Sequence, residues 1–210
     1  MSGMTRRAGL AWAVAAAAPL LLVAACAPRP ALSDAEEAAA TALSARLADR
    51  FQAELQQALR DALARDGAAG AIGVCAEQAP AIAARLSAES GARVRRTALR
   101  NRNPAAAPDA FERDTMTAWA EAPLDAAGRP KAVTQVSAEG LRYMRAIPTG
   151  GLCLACHGAP DAIAPDVREA IAARYPADRA TGFREGELRG AFSISWTLPA
   201  LKQALAQQAG

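Results

Sequence analysis

Cys153-Leu154-Ala155-Cys156-His157 is a C-x-x-C-H run, and its residue types and spacing point to one chemistry first. Two thiols so spaced can add across the vinyl groups of a haem, and the adjacent imidazole then stands beneath the iron as its proximal ligand. His157 is the only histidine in the chain. A second protein ligand to such an iron must come from cysteine, methionine or lysine, or be absent. Two rival chemistries share these residues. A zinc site could recruit Cys75, Cys153, Cys156 and His157, but such sites usually draw on two separated pairs, and adjacent Cys156 and His157 are awkward partners on one tetrahedron. A thioredoxin-like thiol pair would follow a strand and open a helix early in the chain. Here the run follows Pro148-Thr149-Gly150-Gly151, late in the sequence. Haem attachment is the expectation.

The four cysteines divide by role. Cys153 and Cys156 belong to the haem run. Cys26 ends Leu22-Val23-Ala24-Ala25-Cys26, which resembles a bacterial lipobox, in which the signal is cut before the cysteine and the cysteine is acylated. Cys75 is left over. In an oxidising, exported compartment a leftover thiol must be buried or bound. It is either a small buried hydrophobe or a sulfur ligand to the haem iron. Met144 and Met116 compete for that ligand position, because Met/His ligation is common in cytochromes c.

The N-terminus carries the targeting signal that this scheme needs. Arg6 and Arg7 form a basic n-region, and Ala8 to Val23 is apolar except for Pro19. The run is shorter than the ~20 residues that span a bilayer, so a signal peptide is expected rather than a membrane helix. Residues 1–26 are thus a signal peptide, residues 27–32 a linker with Pro28 and Pro30, and residues 33–210 one domain. Arg6-Arg7 also hints at twin-arginine export, but the residues after it fit that motif poorly, and covalent haem attachment after export favours an unfolded route. Losing Arg6 and Arg7 takes the formal charge of +3 to +1. No basic patch with interleaved aromatics suggests nucleic acid. The expected location is periplasmic, on a membrane, held by a lipid on Cys26.

The elements that must position the haem run follow from pattern. Ser33-Asp34-Ala35-Glu36 is a capping box. It opens a long helix with Leu43, Leu47, Phe51, Leu55, Leu59 and Leu63 at i,i+4 spacing, a row that drifts around a straight helix and so must meet several neighbours. Core packing is its more usual use; a dimer seam is the other. Asp66-Gly67 ends it. A second helix spans about Ala71 to Ser90, with Cys75, Ala79, Ile82 and Leu86 on one face. Pro80 should kink this helix or mark its first turn. In the latter case Cys75 would lie near a helix N-terminus, where a thiolate is favoured. Strands are expected at 92–99, 131–136 and 141–147, the last two forming a hairpin, and helices at 108–120 and 164–175. Phe192, Ile194 and Trp196 alternate with Ser193 and Ser195, as in a half-buried strand. The tail from Pro199 should be a short helix. Together these make an α+β domain, with an antiparallel sheet, a long N-terminal helix and a helical haem-binding segment.

Four blocks then carry a resemblance. They are 71–75 with Ala79-Pro80 and Ile82-Ala83; Leu99-Arg100-Asn101-Arg102-Asn103-Pro104 with Pro108 to Glu112; Tyr143 to Ile147 with Cys153 to Gly158; and Tyr175-Pro176-Ala177-Asp178 with Gly182, Gly186 and Gly190 to Ser193. Jointly they resemble a family of single-haem c-type domains with a PAS-like fold, formerly catalogued as a domain of unknown function, found alone or in front of sensor kinases. The resemblance implies His157 and Cys75 as the two axial ligands, and Arg102 as a partner for a haem propionate. The chain departs from the pattern at Ala106, where asparagine is expected, and at Phe111, where tryptophan is expected.

A His/Cys-ligated haem should have a low potential and prefer the ferric state, because thiolate donates electron density whereas methionine raises the potential. The expected role is a redox or small-ligand sensor, acting on a separate redox or signalling partner through release of Cys75. A low-potential electron carrier is the alternative. A haem peroxidase or thiol oxidoreductase would need an acid–base residue on an open face, and no second histidine exists to serve. No enzymatic activity is expected.

Overall fold

The structure is a computed structural model that describes residues 32–209. The signal peptide, Cys26 and all of the linker but Leu32 lie outside the described residues. No helix among the described residues is long and apolar enough to cross a membrane.

Helix α1 (Asp34–Gly73) begins at the predicted capping box. Ser33 Oγ accepts the Glu36 N–H at 3.3 Å, and Glu36 Oε2 accepts the Ser33 N–H at 2.8 Å. The expected stop at Gly67 is instead a break inside the helix. Gly67 adopts φ 67°, a left-handed conformation that glycine takes without steric cost, and the helix resumes beyond it. The chain then passes through a π-turn (Val74–Gln78) into α2 (Ala79–Ser90), which ends at Gly91 in the left-handed region. Pro80, in the first turn of α2, supplies no N–H. The helical ladder must skip a carbonyl there, and the wider turn just before it, with Ala79 N–H bonded to Val74 O, absorbs the mismatch.

The sheet contains β1 (Arg93–Thr97), β2 (Ala132–Ser137), β3 (Gly140–Pro148) and β4 (Leu188–Thr197), in the order β1-β4-β3-β2. Every neighbouring pair is antiparallel, and β2 and β3 form the predicted hairpin. The remaining helices are α3 (Ala110–Trp119), α4 (Gly151–His157), α5 (Pro165–Arg174) and α6 (Leu198–Ala209). The α+β class is as the sequence indicates. The C-terminal helix is longer than the short one expected.

On one sheet face, Leu47, Phe51, Leu86 and Leu201 pack against Val94, Leu141, Tyr143, Phe192, Ile194 and Trp196. Fully burying a side chain of this size stabilises by about 1.5–3 kcal/mol, and this is the main core. The drifting leucine row of α1 therefore packs on this core, with Leu47, Phe51 and Leu55 buried and Leu43, Leu59 and Leu63 partly so. On the other face, Met116 and Trp119 of α3 cover Met144, Ala146 and Ala191. Central strand β4 is thus buried on both sides, Ser193 included, and not half-buried as its alternation suggested. A third cluster joins Ile163, Val167, Ile171 and Tyr175 to Ile72 near the end of α1.

Candidate haem site

Helix α4 carries the C-x-x-C-H run. Its i,i+3 spacing sets Cys153 and Cys156 on one side of the helix, and both half-buried thiols border a cavity of about 370 Å³. Helices this short leave most of their carbonyls without a partner, and here the surroundings supply the donors. Gly158 N–H bonds Leu154 O at 2.9 Å. Arg102 Nη2 donates to Cys156 O at 2.6 Å. Phe183 N–H donates to His157 O at 2.9 Å, and Gly182 N–H to Gly158 O at 2.6 Å. The segment around 180–183 is therefore a clamp on the C-terminal end of α4. A Cβ on Gly158 would meet Leu154 O at 2.6 Å, so only glycine fits that corner.

The same segment sets the histidine. Nδ1 of His157 lies 2.6 Å from the carbonyl oxygen of Ala180. A carbonyl only accepts, so Nδ1 carries the proton and the lone pair resides on Nε2, the arrangement that a metal-binding imidazole requires. Phe183 meets the ring edge-on at 6.2 Å between centroids. Burial, then the guanidinium groups of Arg189 and Arg102, hold His157 well below its ordinary pKa, although the bond to Ala180 opposes them. Neutral imidazole is the ligating form. Burial likewise raises the Cys156 thiol, against the pull of Arg102.

Cys75 borders the same cavity as Cys153, Cys156 and His157. It sits in the π-turn, within helical backbone that continues from Ala68 into α2, so Pro80 does not open a new helix and the alternative placement of Cys75 near a helix N-terminus does not hold: the backbone N–H groups there serve the helix ladder. Tyr175 borders the cavity too, with its phenol pushed up by burial and by the nearby Cys75. The rival methionines are elsewhere. Met116 and Met144 are fully buried in the cluster beneath α3, on the far face of the sheet, and neither borders the cavity. Zinc fares no better: no three histidine, cysteine or carboxylate side chains among the described residues converge tightly enough to hold a metal ion.

Arg102 is the other predicted site residue, and it is 5% exposed. Asp178 binds it through Oδ1 to Nε and Oδ2 to Nη2, both at 3.1 Å. Its Nη2 also reaches Ala180 O at 3.3 Å. Nη1 is buried without a hydrogen-bond partner, and Arg102 lines the cavity. Leaving a buried donor unmade costs about 1–3 kcal/mol, and Nη1 carries that cost here. Ala106 also lines the cavity, so the departure there falls on the site itself. Phe111 lies outside it, beneath the guanidinium of Arg142 at 4.4 Å.

Four contributors escaped the sequence reading. Asp178 stood in a quoted block with no role given to it. The Ala180 carbonyl is a backbone atom, and no side-chain pattern reveals it. Arg96 and Arg189 also line the cavity, with Arg189 Nη2 3.4 Å from His157 Nε2. Burial and the neighbouring Arg96 and Arg102 push Arg189 down to about 10. The one available signal was the run of arginines in a strand otherwise headed for the core.

A family model described as Tll0287-like matches residues 27–197, most of the chain, and the protein belongs to that family. Among solved structures, one described as the cyanobacterial heme-protein Tll0287 is 34% identical. That likeness covers 59% of this chain and 71% of the other, with a TM-score of 0.49. No curated protein matches.

Proposed function

We propose that this member of the Tll0287-like family is an exported c-type protein with one covalent haem, His/Cys-ligated, that senses redox state or a small ligand. Cys153 and Cys156 would hold the group through thioethers, each S–H adding across a vinyl C=C. His157 Nε2 and the Cys75 sulfur would hold its iron, and Arg102 would meet a propionate. The antiparallel sheet serves as a PAS-like frame in this reading, and an acyl chain on Cys26 holds the protein to a membrane in the periplasm.

The observation that carries the reading is that Cys75 borders one cavity with Cys153, Cys156 and His157, while Met116 and Met144 lie beyond the sheet. The cavity fits the cofactor on other grounds too. Its volume falls within the ~300–1,000 Å³ of ligand sites, Leu55, Leu59 and Phe192 give it apolar walls, and Arg96, Arg102 and Arg189 border it. A bound haem would supply an iron that exchanges one electron and, on a freed face, takes a small ligand. The protein's own part is orientation and release. The Ala180 carbonyl fixes the His157 tautomer. As a thiolate, Cys75 would donate electron density to the group and stabilise its oxidised form; protonated, it would be free to leave. Because Cys75 belongs to the helical connection between α1 and α2, its release can move those helices, which is what a separate partner would read.

Electron paramagnetic resonance of the ferric protein, with the reduced absorption spectrum, tests this. A low-spin thiolate signature, lost in Cys75→Ala with the covalent haem retained, is expected. An unchanged spectrum in that variant would rule out Cys75 as a ligand. Thiolate bound equally in both redox states would move the assignment to a low-potential electron carrier, and a high-spin signal would reopen the enzyme reading.

A further inference from the structure

Three guanidinium groups line the cavity, those of Arg96, Arg102 and Arg189, and one carboxylate answers them. That carboxylate, Asp178, spends both oxygens on Arg102 and also accepts the Ala180 N–H at 2.9 Å. Arg96 and Arg189 have no carboxylate partner among the described residues. Arg96 stands 5.9 Å over the Phe51 ring and Arg189 5.2 Å over Phe183. These contacts hold the two side chains in place, but aromatic faces do not neutralise a charge. Among the described residues the only side-chain hydrogen bonds of Arg189 are long, 3.4 Å to Arg100 O and 3.4 Å to His157 Nε2. Two partly buried cations therefore border a largely apolar cavity, Arg96 with no side-chain hydrogen bond among the described residues and Arg189 with two weak ones.

We propose that Arg96 and Arg189 form a carboxylate clamp that receives both haem propionates and fixes which way round the cofactor sits. The inference rests on the haem reading given above. Charge complementarity supports it. A ferric haem core bound by the Cys75 thiolate is neutral, so the propionates are the two charges left to balance Arg96 and Arg189. The clamp also connects ligation to charge. An added electron leaves the site one charge too negative, and protonation of Cys75 restores the balance.

The test uses the full chain with Cys153→Ser and Cys156→Ser, which prevents covalent capture, titrated with haem and with haem dimethyl ester. Charge-assisted hydrogen bonds to a guanidinium should make the free acid bind about tenfold tighter or better. Arg189→Met and Arg96→Met should each erase most of that preference, and the lysine variants should restore part of it. A preference unchanged in the methionine variants overturns the clamp. Haem staining of the exported parent chain separates the two ideas: no covalent haem sinks the haem reading and the clamp with it, whereas covalent haem with unaltered preference sinks the clamp alone. If the serine background binds neither porphyrin, the midpoint potential of covalently loaded Arg189→Met decides. Loss of the cation should lower the potential, and no change overturns the proposal. The haem-free chain adds a readout that a structural role would reverse, since removing a cation that has no carboxylate partner should not lower its melting temperature.

Discussion

Asp178 holds Arg102 in a two-point grip, with Oδ1 3.1 Å from Nε and Oδ2 3.1 Å from Nη2. The pair is nearly enclosed, with side chains 4% and 11% exposed. It fixes the guanidinium so that Nη2 caps the Cys156 carbonyl of α4, while Nη1 stays buried without a hydrogen-bond partner.

Asp178→Ala should therefore be among the most damaging single changes near the site. It strands a buried cation and frees the segment that bears the Ala180 carbonyl. Removing one partner of a buried pair costs about 3–5 kcal/mol, and partial exposure of Asp178 places the expected loss near the low end. Chemical denaturation measures it. Asp178→Asn, which keeps the shape and one acceptor, should lose less. Equal losses for the two would mean that charge alone matters here.

How far the sequence reveals this arrangement depends on the kind of signal each part leaves. The capping box at Ser33 and Glu36, the β2–β3 hairpin and the haem helix rest on local patterns, and each is where those patterns place it. A second capping box, Asp109 with Glu112 at the start of α3, was legible by the same rule and escaped notice. The π-turn at Cys75 has no such local mark. Pro80 announces a disturbance, but whether it becomes a kink, a new start or a wider turn is decided by packing. Ser193 misleads because a polar residue suggests a solvent face, whereas α3 covers that side of β4. Asp178 and Arg189 come to the site from positions remote in sequence from Arg102 and His157, and only tertiary structure unites them.

The methionines make a clean negative control. Met116→Leu and Met144→Leu should leave the ferric and reduced spectra unchanged, because both side chains pack beneath α3 on the sheet face away from the cavity. Volume-conserving swaps of this kind cost less than about 1.5 kcal/mol, so the variants should fold and bind haem. A shifted spectrum in either would mean that a methionine reaches the iron.

On the lipid-anchor proposal, Cys26→Ala should release the protein from membranes to the soluble periplasmic fraction, with the haem content of the domain unaltered, because the acylated cysteine is the proposed anchor. Fractionation with haem staining checks it. A variant retained on the membrane would point to a different anchor.

Gly190 sets how closely two strands approach beside the cavity. It pairs with Ile147 on β3, borders the cavity, and lies next to the end of β1, where a Cβ would meet Thr97 O at 2.5 Å and the Ala98 Cβ at 3.2 Å. The first contact is with backbone, which cannot rotate aside. Gly190→Ala must therefore push β1 away from β4 or tilt the adjoining Arg189. Overpacking of this kind costs about 1–3 kcal/mol, and β1 also carries Arg96 of the proposed clamp. The expected outcome is a lower denaturation midpoint together with a weakened preference for haem over its dimethyl ester. A variant that loses stability but keeps the full preference would show that the strand spacing supports the fold without setting the clamp.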